Sequence, residues 1–242
     1  MIDFFQKIYY INLDDDVDKK QYFEKEITKS SLSSHCERFK AVSGKHIDLR
    51  LINSKIISSN ARKDIELKKQ KTYGISLTYG SLGCALSHKL IYEECSYGTK
   101  PYLVFEDDII LHKNFDPKLQ ELINVIQKKD ISFDIIYLGY NEIPGFYKVD
   151  IDSVLSKPSG LITGTYGYIL SPNGCKKLLD HIFPLNHQID SSISHNLSKF
   201  NIYCTSTKLV QASTSFGSKT QMYDSCINIQ SLEIDNWIKL FV

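Results

Sequence analysis

Residues 101–111 read PYLVFEDDIIL, and no other run constrains the fold of this chain as strongly. Tyr102 to Phe105 form the short β-branched and aromatic stretch of a buried strand. It runs straight into Glu106-Asp107-Asp108, and Ile109-Ile110-Leu111 is apolar again at once. Three adjacent carboxylates between buried flanks repel one another and need an opposing charge. Taken alone, the triplet is either a cation site or a solvated acidic turn.

The rest of the chain alternates strand and helix signals. Residues 7–13, KIYYINL, read as a buried strand stopped by Asp14-Asp15-Asp16. A helix over 17–28 puts Phe23 and Ile27 on one face and turns Lys19, Lys20 and Lys25 to water. A strand over 37–42 ends at Ser43-Gly44. After Gly80-Ser81 a helix carries Leu82, Leu86, Leu90 and Ile91 on one side. A further helix carries Leu119, Leu122, Ile123 and Ile126, and strands follow over 134–138, 161–170 and 201–211. Pro172 marks a helix start. Residues 140–158, with Pro144, Gly145 and Pro158, read as a loop or small hairpin. Residues 45–78 are polar and lysine-rich with weak helical patches, as in a flexible lid or loop. This order predicts an α/β sheet with parallel pairing, whose ligands bind beyond the carboxyl ends of the strands. The expected organisation is one domain over 1–242, with 216–242 as a C-terminal extension.

A net charge of +1 gives no global field to recruit nucleic acid, and the basic run at 68–71 reads as a solvated loop. The six cysteines (36, 84, 95, 175, 204 and 226) contain no C-x-x-C pair, which argues against a zinc ribbon. Cys84 lies in an apolar helical context, like a core thiol. Reduced thiols, no signal peptide, no retention signal and no membrane-spanning apolar run lead to the expectation of a cytoplasmic protein.

For the triplet, carboxylate oxygens suit Mg²⁺ or Mn²⁺, which can bridge a diphosphate and stabilise a leaving group. Asn12, inside an apolar run, either contacts a nucleotide or ties down the adjacent loop. His88 is either a core histidine or a neighbour of bound phosphates, and the remaining histidines lack H-x-x-x-H spacing. Asp190 is either a helix N-cap or a general base. Asp116 is read as a cap.

Seven segments then occur in a recognisable order. They are Tyr10-Ile11-Asn12-Leu13 with Asp18-Lys19-Lys20, Phe39 to Gly44, Leu77 to His88, Leu103 to Asp108, Phe133 to Gly139, Gly164 to Ser171, and Pro184-Leu185 with Ile189-Asp190. In this series the chain resembles glycosyltransferase family 25, which includes lipooligosaccharide and procollagen galactosyltransferases. The resemblance implies a GT-A-like, Rossmann-like α/β fold with a mixed, mostly parallel sheet flanked by helices. It also implies inverting transfer of galactose or glucose from a UDP-sugar, with Mn²⁺ (or Mg²⁺) as cofactor. By the same resemblance Ile11, Asn12, Leu13, Ala41, Val42, Gly44, Gly83, Ser87, His88, Glu106 and Asp107 lie at the donor, and Glu106 and Asp108 hold the metal. Asp190 and Asp108 are the catalytic pair. The acceptor is a glycan, a lipid-linked glycan or a collagen-like peptide, and a homodimer is among the expected assemblies. The usual arginines after the first strand are replaced by Lys19 and Lys20, which lose bidentate phosphate binding. Gln211 to Ser215 stand where collagen-type members carry a histidine. A degenerate fold that binds a sugar nucleotide or a partner without transfer is the alternative.

Overall fold

The computed structural model describes residues 1–67, 77–143 and 146–216. The basic run at 68–71, Pro144-Gly145, Cys226 and residues 217–242 of the expected extension lie outside them. The main sheet has eight strands: β1 (Lys7–Asn12), β2 (Cys36–Lys40), β3 (Tyr102–Glu106), β5 (Ile135–Glu142), β6 (Tyr147–Asp150), β7 (Leu155–Ser159), β8 (Ile162–Leu170) and β9 (Ile202–Thr205). Their spatial order is β2-β1-β3-β8-β5-β9-β7-β6. β1 pairs parallel with β2 and β3, and β5 pairs parallel with β9. β8 is antiparallel to both β3 and β5, and β7 is antiparallel to β9 and β6, so all the other strands point one way. The sheet is therefore mixed and mostly parallel in direction, as expected. β4 (Ile109–Leu111) and β10 (Val210–Ala212) form a separate antiparallel pair.

The unbroken apolar runs of β1, β3 and β5 have a direct cause: both faces of the sheet are covered. On one face Tyr9, Ile11, Val104 and Tyr137 join a core with α3 (Tyr79–Ser96), α5 (Pro172–Ile182) and α6 (Ile189–His195). On the other, Ile8, Tyr10, Leu103, Phe105, Ile136 and Leu138 meet α1 (Val17–Ile27) and α4 (Phe115–Lys128). Phe23 of α1 stacks on Tyr10 at 4.2 Å between ring centroids. Among the described residues no helix is long and apolar enough to cross a membrane, and the five cysteines are free thiols.

Several local expectations are revised. The 45–78 stretch is not wholly irregular: it holds α2 (Ser59–Glu66), capped by the Ser58 hydroxyl, and two short 3₁₀ turns. The small hairpin among the readings of 140–158 is present as β6–β7. The strand expected over 201–211 is divided between β9 and β10, which sit in different sheets. On α3 the buried stripe runs through Leu82, Ala85, His88, Ile91 and Tyr92, while Leu90 is exposed. Asp116 does not cap its own helix; it accepts hydrogen bonds from Ser30 Oγ (2.5 Å) and Ser31 N (2.8 Å) beyond the end of α1.

The placement of α3 fixes the cleft. Thr78 caps it through a reciprocal bond with Ser81, a device that contributes about 1 kcal/mol. Its first turns lie against the turn after β2 so closely that a Cβ on Gly83 would sit 2.5 Å from the Val42 carbonyl oxygen and 2.7 Å from Gly44 N. Gly83→Ala is expected to cost about 1–3 kcal/mol by forcing these backbones apart, measurable as a lowered urea midpoint with an unchanged m-value.

Candidate active site

The site lies where β1 and β3 end side by side. Parallel pairing sets Ile11 opposite Glu106, so Asn12 and Asp107 meet just beyond. Asn12 Nδ2 donates to Asp107 Oδ2 at 2.7 Å and to the Asp16 carbonyl at 3.1 Å. Arg38 Nε donates to Asn12 Oδ1 at 2.9 Å. Asn12 thus ties the following loop to the acidic triplet from a fully buried position.

Lys19 does not face water. Lys19, Phe23, Glu26 and Ile27 form the buried stripe of α1, and Lys19 lies at the end of that stripe that reaches the triplet. Its Nζ is 2.6 Å from Asp108 Oδ2 and 3.5 Å from Asp107 Oδ1. The opposing charge that the triplet demands is therefore partly supplied by the chain itself. One ammonium does not balance three carboxylates. Burial pushes Asp107 up to about 6 even with Lys19 and Asn12 beside it. Burial, followed by the Glu106 charge, also raises Asp108. For Glu106 burial acts upward too, but His88 and the Thr165 hydroxyl outweigh it and the net direction is down. Thr165 Oγ1 donates to Glu106 Oε1 at 2.8 Å, and His88 Nε2 lies 3.7 Å from the same oxygen. The surplus negative charge and the oxygen donors of Glu106 and Asp108 fit a divalent cation.

A cavity of about 130 Å³ opens over the triplet. Ile11, Asn12 and Leu13 form one wall, Ala41, Val42 and Gly44 a second, and Ser87 and His88 of α3 a third. Gly83 does not line it; it sits beneath, where it permits the close approach described above. Ser87 also has a supporting role, since its Oγ accepts from Val42 N and donates to the Gly83 carbonyl, both at 2.8 Å. Asp16, Lys19, Gly80 and Cys84 line the same space and were not assigned to the donor from the sequence, although Lys19 stands where an arginine was expected.

A second cavity of about 230 Å³ adjoins the first and shares Cys84, Glu106 and Asp108 with it. Antiparallel β8 brings Gly164 and Thr165 to its wall, and α6 brings Asp190. Asp190 is not the N-cap of α6, a position held by Gln188. Its Oδ2 accepts from Gly164 N at 3.0 Å and its Oδ1 from Ser191 N at 2.7 Å. Burial raises its pKa despite both donors. The 211–215 segment does reach the triplet, but through backbone: Ser213 N donates to the Asp108 carbonyl at 2.6 Å. The imidazole near the acidic cluster is His88, one turn along α3 from Cys84. The ligand atoms of Cys84, His88 and Glu106 all lie within 4.8 Å of one another.

A mixed sheet with an acidic cluster at its parallel strand ends is a GT-A-like α/β architecture. The chain belongs to glycosyltransferase family 25, whose profile, described as an LPS biosynthesis protein, matches residues 5–193. It is 27% identical over 210 residues to procollagen galactosyltransferase 1 of Danio rerio, covering 79% of this chain and 33% of that protein. It is 33% identical over 139 residues to the inactive glycosyltransferase 25 family member 3 of Homo sapiens, covering 55% of this chain and 23% of the relative. The chain thus spans about a third or less of the length of these relatives. Among solved structures it is similar to UDP-glucose pyrophosphorylase complexed with UDP-glucose, with a TM-score of 0.42, 12% identity, and coverage of 83% of this chain and 90% of that one.

Two outcomes follow from the charge balance in metal-free buffer. Lys19→Met leaves buried carboxylates without their partner and is expected to cost roughly 3 kcal/mol near neutral pH, less in acid where they protonate; urea titrations across pH measure this. Asp107 holds its proton more tightly folded than unfolded, so its ionisation subtracts stability as pH rises from 3.8 to about 6. Asp107→Asn is therefore expected to gain about 1–3 kcal/mol over wild type above that window and little below it, read from paired melting curves.

Proposed function

We propose that the chain transfers galactose or glucose from a UDP-sugar to an acceptor hydroxyl with inversion. The observation that carries this reading is the pair of adjoining cavities with Glu106 and Asp108 as a common wall. The first takes the nucleotide sugar, and the second takes the acceptor beside Asp190. Similarity to a procollagen galactosyltransferase supports galactose as the sugar and a collagen-like peptide as one acceptor. The family description supports lipopolysaccharide, a lipid-linked glycan, as another.

Glu106 and Asp108 hold a divalent cation, Mn²⁺ or Mg²⁺, which when bound neutralises the diphosphate. Asn12, Ile11, Leu13 and the Ala41-to-Gly44 turn enclose the nucleotide, and Ser87 holds that turn in place. Lys19 moves its ammonium from Asp108 to the diphosphate, where it stabilises the departing charge. The acceptor oxygen forms its bond to the anomeric carbon as the bond to UDP breaks, and the electron pair leaves with UDP. Asp190 accepts the hydroxyl proton. Its raised pKa suits a base that works near neutrality, and its two backbone donors fix its orientation. The free thiols suit a reducing compartment such as the cytoplasm.

Similarity to relatives named as inactive favours a second reading, binding of the nucleotide sugar without transfer. Turnover of UDP-galactose and UDP-glucose with glycan and hydroxylysine-peptide acceptors, with and without Mn²⁺, separates the two. Asp108→Ala is expected to lower turnover at least about a hundredfold. Asp190→Asn is expected to lower kcat by about a hundredfold or more while leaving calorimetric UDP affinity unchanged. Metal-independent turnover untouched by Asp108→Ala would sink the transfer reading, and UDP binding without turnover on any donor would establish the second.

A further inference from the structure

The carboxylate pair assigned above to Mn²⁺ or Mg²⁺ is not the whole of the metal-ligating chemistry in the cleft. Cys84 and His88 are four residues apart on α3 and so share one face of the helix. Across from them is Glu106, at the end of β3. Cys84 lines both cavities, so a solvated ion can reach its sulfur.

His88 is fully buried, and its Nε2 has no hydrogen-bond partner among the described residues. Its other ring nitrogen, Nδ1, lies 2.5 Å from the Tyr168 hydroxyl. When Nδ1 carries the proton and donates to Tyr168, the lone pair of Nε2 points at a carboxylate oxygen 3.7 Å away. In that tautomer no hydrogen bond joins the two atoms, and a cation between them would be bound by both. Histidine ligands of metals are held by this same kind of second hydrogen bond on the far nitrogen.

We infer that Cys84 Sγ, His88 Nε2 and a Glu106 carboxylate oxygen form a site for a borderline-soft divalent cation, of which Zn²⁺ is the best match. A sulfur, nitrogen and oxygen set selects zinc or cobalt over manganese or magnesium, which prefer oxygen alone. Tetrahedral coordination at zinc places such ligand atoms roughly 3.3–3.6 Å apart. The three atoms here lie within 4.8 Å, so side-chain rotation closes the set without moving the backbone. The thiol binds as thiolate, and its proton passes to solvent. The fourth position opens on the cavity. Because Glu106 belongs to both ligand sets, zinc at this site takes away a ligand of the hard cation proposed for transfer.

The site does not depend on the transfer reading, and the test keeps the two apart. The metal-free 242-residue chain is titrated with Co²⁺, an optical stand-in for Zn²⁺, and the thiolate-to-cobalt charge-transfer absorption is followed. Wild type is expected to develop the band at one equivalent and to lose it when Zn²⁺ is added. Cys36→Ser, which alters a thiol on the far side of the sheet edge, keeps the band. Cys84→Ser abolishes it, and His88→Gln weakens cobalt binding by more than about tenfold. Asp108→Asn keeps the band although it removes a ligand assigned to Mn²⁺, so loss of transfer and loss of this site are read separately. Circular dichroism of each variant reports its folding; should His88→Gln fail to fold, the Cys84→Ser comparison decides. Cobalt binding without the band, no binding at all, or a band that survives in Cys84→Ser each overturns the assignment.

Discussion

Partial burial of three successive carboxylates at the end of β3 governs the architecture around it. Each neighbouring element contributes something that makes this burial tolerable. α1 supplies the Lys19 ammonium to Asp108, β1 the Asn12 amide to Asp107, and β8 the Thr165 hydroxyl to Glu106, while the segment after β10 holds the Asp108 backbone carbonyl through the Ser213 N–H. The result remains overcharged, since one ammonium faces three carboxylates. A cluster that is neutralised enough to fold and still attracts cations is what a site for a charged ligand requires. The geometry of the cleft and the stability of the fold therefore rest on the same few contacts.

Much of the fold was legible because its signals are local. The apolar runs of β1 and β3 mark buried strands whose pairing needs no further information, and the acidic stop after Phe105 marks a strand end. What escaped depends on partners distant in sequence. Lys19 was assigned to solvent by its residue type, although its spacing from Phe23 and Ile27 placed it on the buried stripe. Its partner Asp108 is 89 residues away, and no local pattern announces that pairing. The 201–211 segment reads as one strand, yet its two halves hydrogen-bond to different sheets. Leu90 fits a helical apolar stripe but faces outward, because the buried stripe of α3 runs to one side of it through Leu82, Ala85, His88, Ile91 and Tyr92.

Of the donor residues expected, all but Gly83 line the first cavity, and Gly83 supports it from beneath. Cys84 packs against the core as a free thiol, as read, and its second face on the cleft was not visible for a physical reason. A cysteine in an apolar helix is ordinarily a core residue, and only the opposing strand end shows that this one faces a carboxylate and an imidazole. The signal was present in the four-residue spacing from Cys84 to His88, but it gains meaning only when Glu106 is brought across from another element.

The common wall of the two cavities has a thermodynamic consequence. Glu106 and Asp108 carry their charge into both spaces at once, so whatever changes their protonation or coordination in one cavity alters the free energy of binding in the other. Such linkage is reciprocal: an occupant of the first cavity that favours the second must be favoured by it to the same degree. The strength of that coupling is then set by the electrostatic state of two side chains.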